Sequence, residues 1–287
     1  MIENFKIDNI VGSTFGMCLL RNGCRDIFAL PSLKYADVTE WPDDDGLEGD
    51  YSTLTFNPRT IALTFVYEKR SRTDTFLAKI GDGRPHVFEF IDYDMTVTLR
   101  LLSRGGFNLF KEAGTFTLNF VQDEVNPAPE NIDIRLDTPI PHQGVSIDGL
   151  DFSKLGIMVL DGSIQSLCSA IMPVARQGVT IASRYTSGQT YIPQTTARHK
   201  LGDITLQLLI RDKSLDEVDK SYQRLNFYMC STSTDEDSAP NRVIGFDETG
   251  GEYGYLYKSS SVEFLDKLPS GAFWLRMAVT MTLFVKE

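Results

Sequence analysis

The chain has 287 residues, 42% hydrophobic and 23% charged, and a formal net charge of −11. That balance excludes a disordered chain, and no apolar run reaches the roughly 18 residues of a membrane-crossing helix. Nor is there a basic patch of the kind that tight nucleic-acid binding needs to neutralise phosphates. The acid excess is uneven: residues 1–140 carry 14 basic against 22 acidic groups, residues 141–287 carry 14 against 17.

Met1 to Asp8 has no basic region followed by an apolar core, so no secretory signal is expected. Residues 7–20, Ile-Asp-Asn-Ile-Val-Gly-Ser-Thr-Phe-Gly-Met-Cys-Leu-Leu, then introduce a pattern that returns at 147–160 as Ile-Asp-Gly-Leu-Asp-Phe-Ser-Lys-Leu-Gly-Ile-Met-Val-Leu. The offset is 140 without a gap. It pairs Ile7 with Ile147, Asp8 with Asp148, Gly16 with Gly156 and Leu20 with Leu160. A second match follows at an offset of 143, between residues 61–74 and 204–217. Each begins as an alternating strand and ends in a helix-start signature, Ser71 with Asp74 and Ser214 with Glu217, the latter a capping box. The same opening strand, then the same strand and capped helix, in the same order, predicts one structural unit used twice.

Between these landmarks, Ala29 to Thr39 is expected as a strand and Trp41 to Asp50 as a solvated hairpin tip, since its five acidic residues cannot be buried together at tolerable cost. A calcium loop is the alternative there, but Leu47 falls where a ligand is wanted. The counterpart in the second half, Ser183 to Tyr191, is polar and almost uncharged. After Ile61, Leu63, Phe65 and Tyr67 on one strand face comes a short helix with Phe76, Leu77 and Ile80, with Gly81 as its carboxyl-terminal cap. In the second half Leu215, Val218, Tyr222 and Leu225 form the stripe of a longer helix, a packing feature that needs no ligand. A meander is predicted at His86 to Ile91, Met95 to Leu102 and Thr115 to Val121. The second half closes on Met277 to Val285. Asn126 to Glu130 and Pro139 to Pro141 bracket a stiff join, and Ser231 to Pro240 is expected to be a mobile loop. The predicted fold is therefore mainly β. Two tandem β-sandwich or half-barrel domains with one flanking helix each occupy 1–125 and 142–287, joined by a Pro-rich linker at 126–141. Sheet edges would then be left for another subunit to complete.

No chemistry announces itself. Phosphate-cradling GxxxxGK[ST], GxGxxG, HExxH and GxSxG are all missing. His86, His142 and His199 have no second ligand at metal spacing and no neighbouring nucleophile. Cys18, Cys24, Cys168 and Cys230 form no CxxC pair and are expected as reduced core residues. Catalytic, cofactor-binding and metal-binding residues are accordingly assigned to none, and no enzyme is expected. The alternating Tyr253, Tyr255 and Tyr257 would serve a sugar-binding sandwich if exposed and a core or interface if buried.

Three segments carry a family resemblance: the opening at Ile147 to Leu160, Phe56-Asn57-Pro58-Arg59-Thr60-Ile61-Ala62-Leu63-Thr64-Phe65, and Gly114-Thr115-Phe116-Thr117-Leu118-Asn119-Phe120. Together they resemble the distal tail proteins of long-tailed bacteriophages and, more broadly, the tail-tube module shared by tube, distal-tail and hub proteins. The resemblance implies a structural virion protein of the tail, assembled in the host cytoplasm. It would form a homo-oligomeric ring, either a trimer with pseudo-six-fold symmetry or a hexamer. Its partners would be tail-tube, hub and tape-measure proteins, DNA would be a passenger in the lumen, and no cofactor or membrane insertion is implied. Distal-tail proteins often carry a different β domain in the second half, whereas this chain repeats its first. Alternatives are a tube or hub protein of the same family, or a carbohydrate-binding module.

Overall fold

The computed structural model describes residues 4–39, 48–68, 70–109, 113–125, 133–135, 138–171, 174–175, 179–182, 184–185, 187–192, 199–200, 202–231, 242–268 and 270–285. The first half contains strands β1 (Phe5–Ile7), β2 (Ile10–Val11), β3 (Met17–Leu19), β4 (Leu33–Thr39), β5 (Glu48–Phe56) and β6 (Arg59–Tyr67). Helix α1 (Arg70–Ile80) and strands β7 (Pro85–Phe90), β8 (Met95–Leu109) and β9 (Gly114–Gln122) complete it. The second half runs β10 (Val145–Ile147), β11 (Leu150–Asp151), α2 (Phe152–Leu155), β12 (Ile157–Val159), α3 (Ser163–Ala170), β13 (Val174–Ala175), β14 (Val179–Ala182), β15 (Gln189–Ile192) and β16 (His199–Lys200). It ends with β17 (Asp203–Asp212), α4 (Leu215–Cys230), β18 (Val243–Phe246), β19 (Gly251–Lys267) and β20 (Phe273–Val285).

Seven strands of each half form one antiparallel sheet. Their orders, β2-β1-β7-β8-β9-β6-β3 and β11-β10-β18-β19-β20-β17-β12, are the same order written twice. The fold is mainly β, and the two curled sheets are sandwich or half-barrel units. Alternation puts Ile61, Leu63, Phe65 and Tyr67 inside the first unit and Ile204, Leu206, Leu208 and Ile210 inside the second.

The correspondence extends to hydrogen-bond register. Ile7 faces Phe88 as Ile147 faces Ile244, and Met17 faces Tyr67 as Ile157 faces Ile210. Leu101 faces Phe120 as Tyr257 faces Met281. Even a bulge is shared, with Leu102 looped out of β8 between Leu101 and Ser103 and Lys258 looped out of β19 between Tyr257 and Ser259. Both units open on a two-residue hairpin whose turn residues, Asp8-Asn9 and Asp148-Gly149, all have positive φ. That is the turn that matches strand twist.

Several sequence expectations need correcting. The strand expected from Ala29 begins only at Leu33, because Ala29 and Leu30 are held in a different packing, described below. The second unit has three helices rather than one flanking helix: α2 and the eight-residue α3 accompany the predicted α4. The capping box at Ser214 does not form. Ser214 takes the cap position without a side-chain cap bond, and its own N–H goes to Asp212 Oδ1 at 3.1 Å. Glu217 is drawn instead to Lys220, 3.3 Å away, and toward Arg135 at 3.9 Å. The Ser71 side chain, the acidic tip at 40–47, the join at 126–132 and the loop at 232–240 lie outside the described residues. The N–H of Gly81 closes α1 on Leu77 O at 3.0 Å, but the left-handed glycine is Gly83.

Candidate functional site

Among the described residues, no group of three or more His, Cys, Asp or Glu is placed to hold a metal ion. The histidines that the sequence offers are engaged in structure. His86 is buried at the head of β7, with Nδ1 2.8 Å from Asp8 Oδ2 and Nε2 3.1 Å from Asp82 Oδ1. Burial pushes the Asp8 carboxyl up. Lys79 at 2.7 Å, His86 and the Val87 N–H more than offset this and hold it down at about 2. The equivalent of this cluster in the second unit is Asp148, which accepts from the Val243 N–H at 2.9 Å and from Arg242 Nη1 at 2.5 Å. Arg242, buried, also donates to Ser231 O at 3.0 Å and lies over the rings of Phe227 and Tyr228. In both units, then, an Asp in the opening turn pins the start of the next strand. The residue beside it has changed from His86 to Arg242, and the first unit's cation on this Asp is Lys79. His142 is exposed between Asp247 and Asp151, whose carboxylates raise its pKa. Asp151 is at the same time the N-cap of α2, accepting from the Ser153 N–H at 2.9 Å. His199 sits in the two-residue strand β16.

The cysteines divide. Burial holds the Cys24 thiol up at about 12 and raises that of Cys230 as well, so both are inert core groups. Cys168, expected in the core, is exposed on α3. Two of the three tyrosines in the row are interior: Tyr255 and Tyr257 are 5% and 3% exposed, the Tyr255 hydroxyl donates to Tyr228 O at 2.6 Å, and Tyr253 is half-buried against the core. A sugar platform needs those rings in solvent.

The described residues also define the borders of the two sheets, which lie along the long strands. β8 and β19 run well past the short strands β7 and β18 that border them. β7 pairs β8 only through Arg100, and β18 pairs β19 only through Gly254. The rest of the outer border of β19 is covered by the first unit. Residues 21–30, which include a 3₁₀ turn at Arg25–Phe28, lie along it. The Leu265 N–H donates to Asn22 Oδ1 at 2.8 Å, Arg25 Nη1 donates to Glu263 O at 3.1 Å, and the Leu30 N–H donates to Ser260 Oγ at 2.7 Å. Arg21 makes a bidentate pair with the buried Asp266, its Nε 2.6 Å from Oδ1. Phe28 meets Tyr222 of α4 edge-on at 5.2 Å, and Tyr93 meets Phe273 at 6.5 Å. Arg59, from β6, donates to Ala29 O at 2.7 Å and so straps the segment to its own sheet.

The opposite sheet border is closed within each unit. Ala62 N–H of β6 donates to Asp26 Oδ2 at 3.2 Å, and Thr205 N–H of β17 donates to Ser166 Oγ at 3.3 Å. The general expectation of open edges is thus corrected at β6 and β17, where side chains from the element after the third strand take up edge donors. At β8, residues 102 to 108 are exposed, and no described strand pairs with the β7 side of β8 beyond Arg100. Nothing in the composition of 21–30 announces its docking role, and the signal that could have found it is the pairing of Asp26 with Ser166 at the same offset of 140.

No protein-family model matches the chain, and no curated protein matches it. Among solved structures, the chain is similar to SPP1 Dit (gp 19.1), a protein described as a paradigm of the hub adsorption apparatus in phages that infect Gram-positive hosts. The alignment covers 98% of this chain and 98% of that one, at 11% identity and a TM-score of 0.34.

Proposed function

We propose that this protein is a structural component of a phage tail, built from a tandem duplication of one tail-tube-like module and assembled into a ring around the DNA channel at the junction of tube and tip. The observation that carries this reading is the repeated unit itself: two sheets of one strand order, in one register, with a shared bulge. A module used twice in one chain supplies two positions of a ring, so three chains make a pseudo-six-fold ring. Six chains, with one module in the ring and one outside it, are the other arrangement. The three sequence segments that resemble the tail-tube family support the same reading.

In this role the chain performs no catalytic step and holds no cofactor. Its partners are copies of itself and the tube, hub and tape-measure proteins stacked above and below, within the virion tail. The charge of −11 suits a lumen that repels phosphate and lets DNA slide without sticking. The sugar-binding alternative gains nothing from the fold, since two of the three rings of its aromatic row, Tyr255 and Tyr257, are buried.

Negative-stain imaging and mass photometry of the purified full-length chain test the proposal. Rings with a central hole, of three or six times 32.2 kDa, are the expected result. A folded protein that stays monomeric at high concentration overturns it.

A further inference from the structure

The covered border of β19 and the bare border of β8 are counterparts, and so are the two segments that follow the third strand of each unit. Residue 22 corresponds to 162, and both have positive φ, 60° at Asn22 and 96° at Gly162. Asp26 corresponds to Ser166, which takes the equivalent strand N–H, and Ile27 corresponds to Leu167, both wholly buried. In the first unit the outward side of this segment is spent on β19. In the second unit the outward side of α3, with Asp161, Gln165, Cys168 and Ser169, is exposed. On the other partner, Ser260 of β19 corresponds to Arg104 of β8, since they face Val279 and Leu118 at matching positions. Leu102 and Phe107 on β8 are 54% and 37% exposed.

Resting on the assembly reading above, we infer that residues 161–170 of one chain dock along the bare border of β8 in the next chain, repeating between chains the junction that residues 21–30 make with β19 inside one chain. The mate is a second copy of this protein, because each surface is the missing half of a junction already present in the molecule. Such contacts are head-to-tail and close into a ring when the rotation permits.

Gly106→Cys tests the contact, because a Cβ there meets no atom within 4 Å and Cys168 is the exposed native thiol on the other partner. Mild oxidation of the assembled full-length Gly106→Cys chain should give a ladder of covalent multimers that Cys168→Ser abolishes. Rings without a ladder, or a ladder that survives Cys168→Ser, overturn this contact and leave the assembly reading in place. A chain that never assembles overturns both.

Discussion

The two units share a backbone register and differ in what fills it. In the first, Phe5 on β1 occupies the space above Gly12, where an added Cβ would lie 2.2 Å from Phe5 Cε1. In the second the large residue has changed place: Val145 stands at the Phe5 position and Phe152 at the Gly12 position, both buried. Val11 precedes the first turn without a side-chain cap, and that turn is 3₁₀. Asp151 at the same place caps its turn, which is α-helical. The comparison teaches that pairing and positive-φ turns specify this unit, while core volume is conserved only in sum.

Exchanging the volumes is the strongest way to break the comparison. Gly12→Phe alone drives a ring into Phe5, and the first unit should fail to fold natively. Phe5→Val alone leaves a cavity and should cost about 1–3 kcal/mol. The double variant copies the second unit, so it should recover most of the loss from Gly12→Phe. A double-mutant cycle followed by denaturant unfolding measures the coupling, and additive effects would mean that the two sites do not share one space.

The next effect is electrostatic. Arg242→Ala removes the cation held between Asp148, Ser231 and two aromatic rings and leaves a part-buried carboxylate behind. A loss of about 3–5 kcal/mol is expected, the cost of breaking a buried pair from one side. His86→Ala at the matching position should cost clearly less, since Lys79 still pairs Asp8. Trp274 on β20 gives a fluorescence signal for the second unit, and equal losses in the two variants would refute the difference drawn here.

The sequence made the repeat legible because two backbone demands leave marks in it. The hairpin turn needs residues that tolerate positive φ, hence Asp8-Asn9 and Asp148-Gly149, and each opening turn ends on a left-handed glycine, Gly16 or Gly156. Alternation in β6 and β17 marked the core face directly. The rest was not local. The bulge at Leu102 depends on how β9 pairs across it, and the docking of Asn22 and Arg25 depends on a strand 243 and 238 positions later in the chain, respectively. Ser214 and Glu217 had the right spacing for a capping box, but Asp212, Lys220 and Arg135 compete for the same groups. Alternating strands alone give reason to expect an open border somewhere, and only the strand lengths show that, among the described residues, β8 beyond Arg100 has no neighbouring strand on its β7 side.

The smallest effect separates the units by pH. Asp8 titrates at about 2 in the folded chain against 3.8 for the unperturbed group. A carboxyl depressed by folding adds stability that is fully present above 3.8 and lost as pH falls through about 2. The side chain is one-third exposed, so solvent screening limits the contribution to about 1 kcal/mol. Asp8→Asn should therefore be less stable than the parent near neutral pH, and the gap should narrow between pH 4 and pH 2. A gap that stays constant across that window would mean that Asp8 holds the Val87 N–H and His86 by hydrogen bonding alone. In that case the first unit would keep the Asp of the opening turn for its geometry, and its charge would matter only in the second unit, where Arg242 is buried against Asp148.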